Sequence, residues 1–162
     1  MRRLTLPLIA LGLLVLASAA QAAAPAKGLI RAGKGMAGVT LGDTQSQVKA
    51  VLGTPATAKT GTNDFGKYTQ LTFPGKLTTV FQGNVNLSAI STTDTGQKTK
   101  QGIHVGSSET RLREKIPAVR CETSSGARSC TLGQFQAGKH VTIFFVKPTG
   151  LINRITVATV ID

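Results

Sequence analysis

The chain has 162 residues, 19 Lys+Arg against 7 Asp+Glu, a formal charge of +12, one Tyr and no Trp. That length fits one ordinary domain, or two small units sharing a core. So few aromatic rings leave no stacking platforms for a single-stranded nucleic acid, so nucleic acid is not an expected partner.

The N-terminus reads as an export signal. Met1-Arg2-Arg3 is a short cationic start, and Leu4 to Ala17 is an uncharged run rich in leucine. Small residues follow in Ala17-Ser18-Ala19-Ala20-Gln21-Ala22-Ala23. This three-part layout predicts a cleavable secretory signal over residues 1–22. Ala20-Gln21-Ala22 supplies the small side chains needed before a cut at Ala23, and Ala17-Ser18-Ala19 offers a second cut at Ala20. A retained anchor fits less well, because the second half of the run is Ala, Ser and Gln, which partition weakly into lipid. No cysteine lies near the cut for lipid attachment. Loss of Arg2 and Arg3 leaves 19 − 2 = 17 cations against 7 acids, or +10. The expected product is secreted, or held in the periplasm or cell envelope, with no transmembrane segment. Residues 23–37, rich in Ala and Gly, are expected as a flexible lead-in.

Two stretches then resemble each other. Val39 to Gly53 precedes Ile103 to Pro117 by 64 residues. Val39, Leu41, Val48 and Leu52 match Ile103, Val105, Leu112 and Ile116, and Gly42 matches Gly106. In each copy an extended entry reaches a glycine turn and then a capped helix. Asp43 or Thr44 caps the first helix, with Thr44 and Gln47 forming a capping box, and Ser107 or Ser108 caps the second. Val48 and Leu52, like Leu112 and Ile116, are four apart and share a helical face. Gly53-Thr54-Pro55 and Pro117 end the helices.

Period-two patterns follow each helix. Strands are expected over 67–73, 77–82 and 85–93, with turns at Pro74-Gly75 and Gly83-Asn84. The second set is expected around Cys121, then over 130–135, 140–147 and 151–161. Leu77 to Phe81 parallels Val141 to Phe145 at the same 64-residue offset. The units are residues 38–95 and 96–162.

Cys121 and Cys130 are the only cysteines. In an oxidising compartment such a pair reads as a disulfide, here across a hairpin turning at Ser124-Ser125-Gly126. Their spacing suits neither a redox pair nor a metal site. Chemistry finds little support elsewhere. The histidines, His104 and His140, sit in or beside strand patterns. No G-x-S-x-G elbow, P-loop or zinc-ligand cluster occurs, and the acids are scattered or favour helix starts. No enzyme, metal or cofactor is expected.

The motif from Gly38 to Pro55, G-V-x-L-G-D-T-x-x-x-V-x-x-x-L-G-x-P, resembles the helix-opening motif of two groups. They are the β-lactamase inhibitor protein (BLIP) family, which repeats a helix-plus-sheet unit in tandem, and the single-unit SmpA/OmlA type of outer-membrane assembly protein. The resemblance implies an α+β fold: two tandem helix-plus-antiparallel-strand repeats forming a shared sheet, with helices packed on one face. In the inhibitor family the open sheet face grips a protein, and a disulfide staples strands or loops. That family's gripping face is aromatic-rich, unlike this chain, so the fold carries over and the inhibitory activity does not.

Strand alternation predicts an open face built from Tyr68, Gln70, Thr72, Thr78, Gln82, Arg154 and Thr156, opposed by Leu71, Phe73, Leu77, Phe81, Ile155, Val157 and Ile161. The expected function is binding through that face to another exported protein. The alternative is contact with anionic cell-wall polymer or lipid headgroups by positive charge, for which Arg111, Arg113 and Lys115 form a second basic patch. Intact-mass measurement on exported material should give an N-terminus at Ala23, or at Ala20. A mature mass that keeps Met1 to Ala17 overturns the cleavage reading.

Overall fold

The computed structural model describes residues 28–161. The signal expected over residues 1–22 lies outside them, as do residues 23–27. Three short strands come first: β1 (Leu29–Ile30), β2 (Gly35–Met36) and β3 (Val39–Thr40). Helix α1 (Gln45–Leu52) is followed by β4 (Thr57–Asn63), β5 (Gly66–Phe73), β6 (Leu77–Gln82) and β7 (Asn86–Thr92). Then come β8 (Lys98–Thr99), α2 (Glu109–Lys115), β9 (Arg120–Ser124), β10 (Ala127–Leu132), β11 (His140–Val146) and β12 (Ile152–Thr159).

Eight of these strands form one sheet in the order β4-β5-β6-β7-β12-β11-β10-β9, antiparallel throughout. Each half is a four-stranded meander, and the halves meet along their last strands. β1 pairs with β8 in parallel, and β2 with β3 antiparallel. The chain is thus mixed α and β but mostly strand, with two helices among the described residues. Neither is long and apolar enough to cross a membrane.

Local chemistry explains the helices. Thr44 caps α1 through a complete capping box with Gln47, and Gly53 closes it at φ 84°. Ser108 caps α2, its hydroxyl accepting from the Arg111 amide. Val48, Leu52 and Leu112 face inward and join a single core with Leu71, Phe73, Leu77, Phe81, Ile90, Phe144 and Ile155. One face of the sheet is therefore covered by both helices and the N-terminal strands, and the other is open.

The two helix entries are built alike. Gly42 and Gly106 adopt φ 92° and 98°, a left-handed region costly for other residues. The Gly42 amide donates to the Leu87 carbonyl at 2.9 Å, and the Gly106 amide to that of Ile152 at 2.8 Å. The return bonds run from the Leu87 amide to Asp43 O and from the Ile152 amide to Ser107 O. The Asp43 carboxylate accepts from the Thr40 amide, as the Ser107 hydroxyl does from His104. The sheet carries bulges at Val80/Phe81 and at Phe145/Val146.

Leu77 lies on the core face of β6, whereas Val141 of β11 points to the open face with its partner Ala158. The parallel between Leu77 to Phe81 and Val141 to Phe145 therefore sets residues of opposite faces together, since a one-residue slip reverses every side chain of a strand. Residues 28–37 are not a loose lead-in: Ile30, Met36 and Ala37 are buried in the core. Strand β4 was not foreseen, because Thr-Ala-Lys-Thr-Gly-Thr-Asn has no apolar alternation and lies exposed at the sheet edge. β10 stops at Leu132 rather than residue 135. Ile161 falls beyond β12 and is 38% exposed, not on the core face.

The disulfide joins Cys121 of β9 to Cys130 of β10, directly opposite partners in the ladder. Ser125 and Gly126 turn the hairpin, both at positive φ, as a two-residue type I′ loop requires. Cys121→Ser should cost about 2.5 kcal/mol on the chain-entropy account of a loop this short, a drop of several degrees in Tm. An unchanged melting curve, or two titratable thiols in the native protein, would count against the bridge.

Candidate functional site

The open face follows from strand alternation. In β5, Thr69, Leu71 and Phe73 are buried while Tyr68, Gln70 and Thr72 lie on the other side, half-buried. β6 buries Leu77, Thr79 and Phe81 and turns Thr78, Val80 and Gln82 outward. In β12, Ile155 and Val157 are buried, Arg154 is exposed and Thr156 half-buried. All seven side chains expected on the open face are on it.

They do not form one cluster. Gln70, Thr72, Thr78, Arg154 and Thr156 line a shallow cavity of about 720 Å³ together with Lys76, Ser91 and Phe145. Tyr68 and Gln82 stand apart, paired in register with each other. The Tyr68 ring lies over Gly61 of β4, so close that a Cβ there would sit 2.7 Å from the phenol oxygen. Tyr68 covers a glycine on the edge strand, as aromatic residues do for strand glycines, and is not a free anchor. Gln82 spends its amide donors on the carbonyls of Phe65 and Lys67 and on Asn63.

The register arranges the face in rows. Thr72, Thr78, Ser91 and Thr156 lie on adjacent strands, a ladder of hydroxyls at ~4.8 Å intervals. Ser91 and Thr156 hydrogen-bond across the junction of the two halves at 2.8 Å. Two residues along the strands toward one end, the Arg154 guanidinium stacks on Phe145, 3.9 Å from the ring centroid. Two residues the other way, Val80, Ala89, Ala158 and Val141 form an apolar row.

Phe145, Lys76 and Lys147 were not anticipated. The alternation of Phe144 with Phe145 could have revealed Phe145, since two adjacent strand residues cannot both face the core. Lys76 and Lys147 belong to turns, where side-chain direction is not periodic. Thr93, Phe145 and Arg154 also line a second cavity of about 560 Å³, which adds Lys147 and Arg128. No carboxylate lines either cavity. Among the described residues, Lys76, Lys147 and Arg154 have no carboxylate within ion-pairing distance.

Arg128 differs. Its guanidinium grips Glu109 at the start of α2 with both Nε and Nη2, the former at 3.0 Å, and Arg113 stands 3.8 Å from the same carboxylate. The hydrogen bonds from Arg128 hold the Glu109 carboxyl below its ordinary value against the opposite push of burial, and Glu109 raises Arg128. Arg111, Arg113 and Lys115 are exposed on α2, away from the open face.

His104 Nδ1 lies 2.8 Å from the Val105 carbonyl, and His140 Nδ1 3.0 Å from that of Gly33. One ligand-type cluster does exist, contrary to the scatter read from sequence: Glu109, Cys121 and Cys130 lie within 4.8 Å of one another. The sulfurs are joined to each other, and a disulfide offers no thiolate to a metal.

The Glu109–Arg128 pair ties α2 to β10 in a pH-dependent way. A carboxyl whose folded pKa is depressed contributes stability above its unfolded pKa, and that contribution is lost as pH falls through the folded value. Thermal melts should therefore show wild type losing more stability than Glu109→Gln as pH falls below the ordinary carboxylate range. Parallel pH profiles would show that the pair contributes nothing.

No protein-family profile and no curated protein matches the sequence. Among solved structures, the chain is similar to YjgB, a DUF4309 family protein from Bacillus subtilis. The two share 12% identity over 72% of this chain and 78% of that one, with a TM-score of 0.45.

Proposed function

We propose that this chain is an exported, non-enzymatic binding protein that uses the open face of its sheet, and that its ligand there is anionic material of the cell envelope. The observation that carries this reading is the combined lining of the two cavities. Lys76, Lys147 and Arg154 converge on one end of the face, and no acid shares the lining. Unpaired cations around a concavity focus a positive potential on it. The disulfide suits an oxidising compartment. Both histidines, Glu109 and the two cysteines have structural partners: the histidines lie on carbonyls, Glu109 on Arg128, and each cysteine on the other.

We also infer that residues 38–95 and 96–162 are copies of one unit, as the tandem layout implied by the sequence resemblance requires. The matched glycine turns, return hydrogen bonds and bulges support this. A second partner, another exported protein, is favoured by the uncharged Gln70, Thr72 and Thr78 around the Arg154–Phe145 stack, since adaptable polar groups with an Arg anchor suit a protein interface.

Cosedimentation with vesicles tests the first reading. Phosphatidylglycerol vesicles should retain the protein at low salt and release it near ~0.3–0.5 M salt, while phosphatidylcholine vesicles should not retain it. The double variant Lys76→Glu/Arg154→Glu should abolish retention, and Arg111→Glu/Arg113→Glu should preserve it. The reverse pattern would place the contact on α2.

A further inference from the structure

The open face continues beyond its cationic end. Val80 and Ala89 line both the hydroxyl-lined cavity and a third one of about 340 Å³. Ala158, Val141 and Ile143 continue the floor of that third cavity, and Phe65, Phe135 and Ile161 wall it. Val141 is 1% exposed yet has no place in the core cluster on the helix side. It is buried instead beneath the β10–β11 loop, where a Cβ on Gly133 would meet it at 3.4 Å.

The walls are unusual for a surface in water. Phe65 is 50% exposed and Phe135 72%, both in connections between strands. Exposed apolar side chains gathered around an apolar floor mark a binding patch rather than random surface. The few polar groups at its rim have work elsewhere: Gln82 on the Phe65 and Lys67 carbonyls, Ser88 between the Gln82 amide and the Val80 carbonyl.

The three cavities are thus one trough with three zones in sequence. An apolar basin leads to a hydroxyl ladder and then to the cations Lys76, Arg154 and Lys147. From Ala158 to Arg154 is four residues of strand, ~13 Å along the trough. A peptide laid through it would leave backbone amides and carbonyls unpaired over the basin, a cost of a kind that buried backbone avoids. A hydrocarbon chain carries no such groups and loses only its contact with water.

We propose that the trough holds a single-chain anionic amphiphile, with its acyl chain on the Val80–Ala89–Ala158–Ile143 floor between Phe65 and Phe135, and its phosphate or carboxylate against Lys76, Arg154 and Lys147. A hydroxylated linker, such as glycerol, spans the ladder of Thr72, Thr78 and Thr156. This rests on the reading of the open face as the binding face and specifies its ligand.

Titration calorimetry with dodecanoyl lysophosphatidic acid below its micelle concentration, beside glycerol 3-phosphate and dodecanoyl lysophosphatidylcholine, tests it. The lysophosphatidic acid should bind at one saturable site, at least about tenfold more tightly than either comparison ligand. Phe135→Ser and Phe65→Ser alter exposed loop positions. Each should weaken the lysophosphatidic acid severalfold and leave glycerol 3-phosphate unchanged, whereas Arg154→Ala should weaken both. Equal affinity for lysophosphatidic acid and glycerol 3-phosphate, or indifference to both Phe variants, overturns the acyl site. If anionic vesicles are still retained through Lys76 and Arg154 in that case, the open-face reading stands without it. Should Arg154→Ala affect no anionic ligand, both fail.

Discussion

Four residue pairs hold this architecture together. Ala89, Ile90, Ser91 and Thr92 of β7 face Ala158, Val157, Thr156 and Ile155 of β12, and no other ladder joins the two halves of the large sheet. Without that seam each meander would be a small sheet with two open edges, one helix and little apolar surface to bury. With it, Ile90, Ile155 and Val157 lie at the centre of one continuous core. The open face depends on the same junction. The hydroxyl ladder crosses it through the Ser91–Thr156 hydrogen bond, and the apolar floor crosses it through Ala89 and Ala158. The trough therefore belongs to neither half alone.

The two faces of the sheet divide the work. Burial on the helix side is uniformly apolar except for a few hydrogen-bonded groups, such as Thr79 on the Leu71 carbonyl and Thr142 on the Gly33 amide. That side carries the stability. The open side is graded instead, from aliphatic through hydroxyl to cationic within the length of one strand. Because neither helices nor N-terminal strands reach it, its composition is freed from packing demands, and its polarity can match a ligand.

Much of the fold was legible in the sequence, for identifiable reasons. Leu71 and Phe73, like Leu77 and Phe81, are an even number of residues apart, so their shared facing follows from pleat geometry, although Thr79 turns inward and Val80 outward. The capping box at Thr44 and Gln47 and the cysteine hairpin are short-range signals that need no tertiary context. Three features were hidden. β4 is an edge strand wetted on both sides and has no periodicity to detect. Residues 28–37 look like linker by composition, yet Ile30 is drawn into the core by pairing with distant β8 and Met36 by a tight hairpin with β3. The outward facing of Val141 is hidden because the apolar run Val141, Ile143, Phe144, Phe145 and Val146 fits either face of a strand. Of the site, the Thr and Gln positions and Arg154 could be read from alternation. The turn residues Lys76 and Lys147, and the loop residue Phe135, depend on how the connections fold back.

The seam also sets an order of assembly. β7 ends at Thr92, but its partner β12 begins only at Ile152 and is the last strand of the described chain. As the polypeptide emerges N-terminus first, the first meander can form through local hairpins while one side of β7 stays bare. The chain must reach Ile155, the partner of Thr92, before that side begins to be covered, the slow, non-local kind of pairing. Until then the nascent chain presents a strand edge carrying Ile90 and Ser91 to anything nearby. For a chain of this topology, keeping β7 shielded until β12 arrives is a hazard built into the connectivity, and it falls in the interval between synthesis and completion of the fold.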